Sequence, residues 1–495
     1  MSAAAAEAAL ARRAWGEALA AADAAIAADP DAIAAHRARA VALLQLRRLP
    51  EAEAAVAAVL AIAPDHGPAR GTLAGIRLLQ GRVVEAANEA ERALAVATRQ
   101  VDALTARAQV RLLAGDIAGA LADADAAVSA AVGQPASASA LAVRGRVLRR
   151  AERAADALAD FRHAVSIEPA HGPWRALLAD ALAESTDFAA AEGEWRAAIA
   201  SSPPSGRLHA QLAATLAELG RMDEAEAEAR RALDASPDDP LAAMALAGVL
   251  LAGHREVELA LALARRARAR APRAAKPVAI EAVALGMLGR HREAADMLAL
   301  DRLIFGLRPP APAPFADAAA FRAALLAGIE SDPTLTWEPA ATTTRGGYQT
   351  SNLLRRDEPA FLALRRLIVG AVDRYRTARG DHAWLKDFPR QVSVYAWATA
   401  LSAGGRQLAH IHPSAIVSGV FYVAVPPSAA TEAGDGWIEF GRPPEIFAVP
   451  GEPPTRRVRP EEGAMLLFPS WLYHRTLPFE GEGRRVSIAF DVMAG

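Results

Sequence analysis

The sequence of 495 residues contains no cysteine, which excludes disulfide bonds, thiolate metal ligands and a cysteine nucleophile. It also lacks a charge of one sign, because 55 Lys and Arg residues are balanced by 57 Asp and Glu residues. This balance removes any whole-protein argument for binding nucleic acid or an anionic membrane. A chain without thiols is typical of a reducing compartment, so we expect a cytoplasmic protein.

Long hydrophobic runs are missing as well. Pro240 to Gly253 is among the longest apolar stretches, and it is shorter than the roughly 18 residues that a bilayer span needs. At the start of the chain, Arg12 and Arg13 follow the apolar residues, whereas a signal peptide has its basic residues first. Because 53% of the residues are nevertheless hydrophobic, we predict a soluble, well-packed protein.

What the sequence does contain is an internal repeat. One alanine recurs at intervals of 34 to 37 residues, and a proline follows many of these alanines 12 residues later. The alanines are Ala18, Ala52, Ala86, Ala120, Ala157, Ala191, Ala225, Ala260 and Ala294, and the prolines are Pro30, Pro64, Pro169, Pro203, Pro237 and Pro272. We call these two series the ladder alanines and the ladder prolines. Because both series have the same period, they indicate a repeat array rather than a generic helical bundle.

Each repeat has the pattern of two short antiparallel helices. In one unit Gly220 ends the first helix, Ala225 and Ala229 line the second, and Pro237 stops it, since small residues allow close helix packing and proline cannot continue a helix. The pattern resembles the tetratricopeptide repeat (TPR), with about nine divergent copies in residues 1–306. The resemblance implies an all-α TPR superhelix whose concave face binds a peptide or protein partner.

The repeat pattern ends at Gly306, and we predict that the Pro-rich segment 307–314 that follows is a stiff linker. We predict that residues 315–495 form a second domain, so the chain is a multidomain α + β protein. This domain begins with two helices, near 315–330 and 358–377. Five β-rich runs follow without long helices between them, which predicts an antiparallel sandwich or jelly roll. These runs are 391–399, 415–425, 436–440, 463–468 and 484–492.

Three histidines of the second domain stand in a suggestive order. His410 and His412 are two residues apart before a predicted strand, so both rings would point to one side. His474 follows 62 residues later, just past another strand. A His-x-His pair alone arises easily by chance. Arg485 and Ser487 share one face of the last strand, where an arginine among apolar residues requires an anionic partner such as a carboxylate.

The strings HIHPSAIVSGVFYV and GAMLLFPSWLYHRTLPFEGEGRRVSIAF resemble the 2-oxoglutarate- and Fe(II)-dependent oxygenases of the prolyl-hydroxylase-like superfamily. The resemblance extends over most of residues 335–492 and implies a double-stranded β-helix. It implies that His410, His412 and His474 hold Fe(II). It further implies that Arg485 and Ser487, with Tyr422 as an additional candidate, bind the distal carboxylate of the cosubstrate 2-oxoglutarate.

One position departs from the superfamily pattern, in which a carboxylate stands where this chain has His412. His412 could be a neutral third ligand, with the cosubstrate balancing the metal charge. Alternatively, His410 could lie outside the ligand set. A carboxylate from elsewhere, Asp435 or Glu439, could also complete it.

Two functions follow from these patterns. The first is a hydroxylase, a dioxygenase that uses O2 and 2-oxoglutarate on a peptide or protein recruited by the TPR array. The alternative is a non-enzymatic scaffold with a degenerate, cupin-like ligand-binding barrel. The segment 342–354, with Thr344, Arg345, Tyr348 and Gln349, reads either as a lid or substrate contact or as an ordinary surface loop.

Overall fold

The computed structural model describes residues 2–12, 14–132, 137–339, 342–386, 388–389, 391–429, 431–432 and 434–494. The chain forms two compact units, one of Met1–Leu182 with Ala200–Ser202 and the other of Ala183–Ile199 with Pro203–Gly495. The outer limits of the predicted domains, residues 1 and 495, lie outside the described residues.

In the described residues of the first unit, the regular secondary structure consists of helices. They are α1 (Ala3–Ala11), α2 (Trp15–Ala28), α3 (Ile33–Gln45), α4 (Leu49–Ile62), α5 (Gly67–Leu79), α6 (Val83–Val96), α7 (Val101–Leu113), α8 (Ile117–Ala130), α9 (Ser137–Arg150), α10 (Ala154–Ile167) and most of α11 (Gly172–Glu184).

The second unit continues the helical series and then becomes mixed. Its helices are α12 (Phe188–Ala200), α13 (Gly206–Glu218), α14 (Met222–Ala235), α15 (Pro240–Ala252), α16 (Val257–Arg270), α17 (Ala275–Met287), α18 (His291–Leu298), α19 (Leu300–Leu303), α20 (Ala318–Glu330) and α21 (Pro359–Arg379). None of the described helices combines the length and the apolar character that crossing a membrane requires.

Both sequence ladders have a structural basis. Every ladder alanine lies on the second helix of a pair, from Ala18 on α2 to Ala294 on α18, and each is at most 2% exposed. The ladder prolines come two or three residues after those helices end. Side chains larger than alanine would hold the paired helices apart, so the period reflects close packing. The prediction of a TPR array is confirmed.

A row of buried acids within the repeats was not predicted. Carboxylates on second helices lie 4–6% exposed and contact a basic residue of the preceding helix. Asp160, for example, accepts two hydrogen bonds from the Arg144 guanidinium, both at 2.8 Å. The corresponding pairs are Glu89 with Arg70, Asp123 with Arg107, and Glu228 with His209. Since a buried carboxylate requires a partner, these pairs explain why acidic residues occur on the buried faces of these helices.

Gly145 of α9 packs against Phe161 of α10, and it provides a stability prediction. A Cβ atom there would lie 2.5 Å from Cε1 of Phe161, whereas a Cβ at Gly75 on α5 would have no atom within 4 Å. Overpacking costs about 1–3 kcal/mol, and alanine gains about 1 kcal/mol over glycine in an open helical position. Gly145→Ala should therefore lower the free energy of unfolding, whereas Gly75→Ala should raise it. Denaturant unfolding followed by circular dichroism measures both; equal shifts would contradict the packing argument.

The second unit also contains a ten-stranded antiparallel sheet. Its strands are β1 (Phe305–Leu307), β2 (Thr336–Trp337), β3 (Thr344–Gln349), β4 (Val392–His410), β5 (Val417–Ala424), β6 (Ile438–Phe440), β7 (Arg456–Val458), β8 (Met465–Pro469), β9 (His474–Thr476) and β10 (Arg485–Ala494). The order is β1-β8-β5-β10-β4-β9-β6-β7, with β3 paired to β4 and β2 paired to β3.

This curled sheet confirms the predicted fold class, and its details extend the prediction. β4 is about twice as long as expected, so one part of it pairs with β10 and its final part pairs with β9. The segment 342–354 is not a simple loop, because it contains β3, which pairs with β4. His474 begins a short strand of its own rather than lying just past one. The curl brings the ends of β4 and β9 together, which positions the candidate site.

The core of this unit joins the sheet to helices on one side. Ile488 and Phe490 of β10 are buried in the same hydrophobic cluster as Phe321 of α20 and Phe361 of α21, so the two predicted helices cover the outer face of the sheet. The last repeats join this packing. Phe447 of the sheet region is buried in a cluster with residues of α15 to α18.

Candidate metal centre

Three histidine rings converge where β4 and β9 meet. His410 ends β4 and His474 begins β9, and their Cα atoms are direct cross-strand partners. His412 follows two residues later, and its backbone N–H donates to the Ser470 carbonyl at 3.0 Å. The ring centroids are 4.3 to 5.1 Å apart, and one nitrogen of each ring lies within 4.8 Å of the others. Such a group is able to hold one metal ion.

Each ring is oriented through its Nδ1 atom. Nδ1 of His410 lies 2.7 Å from the Leu408 carbonyl, and Nδ1 of His474 lies 3.0 Å from the Leu472 carbonyl. Because a carbonyl oxygen only accepts, these Nδ1 atoms carry the hydrogen, which leaves Nε2 as the free ligand atom. Nε2 of His412 is buried and has no hydrogen-bond partner among the described residues.

The environment keeps two of these rings neutral. Burial, together with the nearby His412, lowers the pKa of His410 to about 3. Burial, with the same clustering of imidazoles, holds the pKa of His474 well below its ordinary value. A histidine binds a metal ion only in its neutral form. The two rings are therefore in the ligand form at neutral pH.

These lowered pKa values predict that the metal-free protein loses stability in acid. Between about pH 6.5 and pH 3 the unfolded chain protonates His410 while the folded protein keeps it neutral, and the lowered pKa of His474 acts in the same direction, so acid favours unfolding. The loss is about 1.4 kcal/mol per pH unit for each neutral histidine. Denaturant unfolding at pH 7 and pH 5 measures it. The double variant His410→Gln/His474→Gln should lose most of this dependence, whereas the exposed control His163→Gln should keep it.

One face of β10 connects the histidines to the predicted carboxylate-binding residues; we call it the inner face. Arg485, Ser487 and Asp491 alternate along this face, and Ser487 is the cross-strand partner of Thr399 on β4 and Tyr422 on β5. Directly opposite residues of neighbouring strands point to the same side. The inner face therefore brings Arg485, Ser487 and Tyr422 together.

Several buried polar atoms of the inner face have no partner among the described residues. They are Nε and Nη1 of Arg485, the hydroxyl of Tyr422 and the hydroxyl of Thr399, in addition to Nε2 of His412. The guanidinium of Arg485 lies 5.1 Å from the centre of the Tyr422 ring. Burial lowers the pKa of Arg485, and burial raises the pKa of Tyr422. Since unpartnered buried donors are costly, this group has the chemistry expected of a site for an anionic ligand.

The two alternative carboxylates lie elsewhere. Glu439 is fully buried and accepts hydrogen bonds from Arg442, Arg457 and Arg475 at 2.7 to 3.0 Å. Its neighbour Phe440, not Glu439 itself, is the cross-strand partner of His474. Asp435 accepts a hydrogen bond from the Thr431 hydroxyl at the surface.

Sequence reasoning did not assign a role to Thr399, Trp397 or Asp491. Trp397 stacks on His412 with 5.5 Å between ring centroids. Asp491 contacts Nδ1 of His412. The alternation of β10 placed Asp491 on the same face as Arg485, but nothing in the sequence indicated which residue it would meet.

The matches to known proteins agree with this geometry. Residues 395–491, which contain the three histidines and the whole predicted carboxylate site, match a family model described as "Putative 2OG-Fe(II) oxygenase". Residues 3–67 and 177–240 match a tetratricopeptide-repeat model. No curated protein matches the chain at a significant level.

Solved structures resemble this chain at low sequence identity. The Cut9–Hcn1 hetero-tetramer of the APC/C matches with 15% identity and a TM-score of 0.51, over 57% of this chain and 54% of that chain. The chain thus spans about half the length of that protein, and the likeness concerns the fold alone. The human IFIT1 dimer with PPP-AAAA matches at 15% identity and a TM-score of 0.41, over 58% of this chain and 67% of that chain.

Proposed function

We propose that this chain, which combines tetratricopeptide repeats with a 2OG-Fe(II) oxygenase-family domain, is an Fe(II)- and 2-oxoglutarate-dependent dioxygenase. Its substrate would be a peptide or protein recruited by the repeats. We further propose the division predicted from the sequence, with repeats in residues 1–306, a linker in 307–314 and the oxygenase domain in 315–495.

The observation that carries this proposal is that the histidine cluster lies beside the inner face that carries Arg485, because Asp491 of that face contacts His412. Three imidazoles with free Nε2 atoms suit a divalent metal ion, and an unpartnered buried arginine suits a carboxylate. A structural arginine would normally be paired at such burial. Arg485 is 1% exposed and has two nitrogens without a hydrogen-bond partner among the described residues, which suits the binding of an anionic ligand.

In this proposal His410, His412 and His474 hold Fe(II), and Arg485, Ser487 and Tyr422 bind the distal carboxylate of 2-oxoglutarate. When bound, iron and 2-oxoglutarate supply the oxidation of a C–H bond with O2, and succinate and CO2 are released. The protein supplies orientation and excludes water. The Leu408 and Leu472 carbonyls keep the Nδ1 hydrogens in place, and Thr399 offers a further hydroxyl beside Ser487.

The packing of the last repeats supports recruitment of a substrate to the sheet. In the second unit Val449 lies so close to α17 that a Cβ atom on Gly286 would be 2.9 Å from its Cγ1. Phe447, two residues earlier, is buried against the same repeats. A partner held by these repeats would therefore be carried on a surface that is packed directly onto the oxygenase domain.

Succinate release tests the proposed activity. The full chain, reconstituted with Fe(II) without oxygen, would be mixed with O2, 2-oxoglutarate and a peptide library, and succinate would be measured with and without peptide. We expect iron-dependent succinate that increases with a subset of peptides. If the purified protein retains no divalent metal and forms no succinate under any condition, the non-enzymatic scaffold is the better description.

A further inference from the structure

Asp491 is the one carboxylate that the described residues bring against the histidine cluster. Its two oxygens lie 2.8 and 2.9 Å from Nδ1 of His412. The Ser418 hydroxyl donates to Oδ1 of the same carboxylate at 2.6 Å. Ser418 is also the cross-strand partner of Asp491 on β5. Both carboxylate oxygens are therefore engaged, and the group has one well-defined position.

Among the described residues, no Lys or Arg forms an ion pair with Asp491. Its contact with a basic side chain is the one to Nδ1 of His412. The Asp491 side chain is 17% exposed and the His412 side chain is 10% exposed, so solvent screens this contact only partly. The negative charge of Asp491 thus acts mainly on His412 and on whatever His412 binds.

The His412 ring is held from two directions. Asp491 accepts the hydrogen of Nδ1, and the Trp397 ring stacks on the imidazole at an interplanar angle of 23°. These contacts fix both the tautomer and the plane of the ring. They also aim Nε2, the atom without a partner, away from the carboxylate. A carboxylate behind a metal-binding histidine increases the basicity of the ligand nitrogen.

We infer that Asp491 supplies the negative charge that the three-histidine set lacks, acting through His412 rather than as a ligand. This inference rests on the proposed function. Three neutral imidazoles leave the full charge of a divalent ion uncompensated, whereas two imidazoles and a carboxylate compensate one unit. In this chain the compensating negative charge is on Asp491, which contacts the far side of the His412 ring instead of the metal ion. Asp491 is accordingly a positioning residue for the metal site.

Metal affinity tests this inference without relying on turnover. The full chain would be titrated with Co(II) in the absence of oxygen, with the visible absorption of the bound ion and calorimetry as readouts. The variants are Asp491→Asn, which keeps the shape and removes the charge, Asp491→Ala, and Ser418→Ala, which removes only the brace. Asp373→Asn on α21, an exposed carboxylate, is the matched control.

We expect Asp491→Asn and Asp491→Ala to weaken Co(II) binding about 10- to 100-fold, Ser418→Ala to weaken it less, and the control to bind as the unchanged protein does. Circular dichroism identifies any variant that fails to fold, and Ser418→Ala then carries the test. If the unchanged protein binds Co(II) and all three variants bind it as tightly as the unchanged protein does, the role of Asp491 is refuted while the proposed function stands. If the unchanged protein binds no divalent metal, both fail.

Discussion

Replacing Arg485 with methionine is expected to raise the KM for 2-oxoglutarate by roughly 30- to 4,000-fold. Removing one partner of a buried, hydrogen-bonded charge pair costs about 2–5 kcal/mol, and each 1.4 kcal/mol is about tenfold in affinity. Methionine fills a similar length but cannot pair with a carboxylate. Succinate formation at saturating Fe(II) and varied 2-oxoglutarate measures the change.

The same substitution should stabilise the ligand-free protein. Nε and Nη1 of Arg485 are buried without partners, and an unsatisfied buried donor costs about 1–3 kcal/mol. Arg485→Met should therefore raise the midpoint of thermal unfolding without ligand, while added 2-oxoglutarate should no longer raise it further.

Arg484→Met is the matched control, because the Arg484 guanidinium lies over the Tyr348 ring instead, 5.8 Å from its centre. A KM that stays the same in Arg485→Met would remove Arg485 from the cosubstrate site.

Replacing His474 with glutamine is expected to abolish iron retention and, with it, succinate formation. His474 is 6% exposed and lies close to both other imidazoles, so its loss leaves two ligands at most. Glutamine retains an amide and a comparable volume, which limits the structural damage. Metal content after anaerobic reconstitution with Fe(II), followed by succinate release, measures the effect.

The control for this variant is His163→Gln, at an exposed position on α10. It should retain iron and activity like the unchanged protein. Thermal unfolding of both metal-free variants separates loss of a ligand from loss of the fold. If folded His474→Gln retained one equivalent of iron, the metal would be held by a different set of residues.

Much of the fold could be read directly from the sequence because it depends on local periodicity. The spacing of Ala18, Ala52 and their successors predicted the second helix of each repeat, since close helix packing leaves no room for larger side chains. The alternation along β10 likewise predicted that Arg485 and Ser487 share a face, because side chains of a strand alternate strictly. These inferences need only the chain geometry of a few neighbouring residues.

Other features could not be inferred because they depend on strand register. The pairing of β4 with β9 shifts between Gln407 and His410, and that irregularity places His410 opposite His474. Similarly, the segment 342–354 contains β3 because β4 extends far enough to pair with residues 344–349. A register shift of one residue reverses which side chains face the site, and no local pattern specifies it.

The sequence by itself thus determined the repeat array, the β-rich C-terminal region and the residue types available for a metal and a carboxylate. Only the tertiary structure decided that Asp491 meets His412, 79 positions apart in the chain, and that Thr399 joins Ser487 and Tyr422. The physical reason is that hydrogen bonds between distant strands depend on how the sheet curls, whereas helix and strand periodicity is set residue by residue.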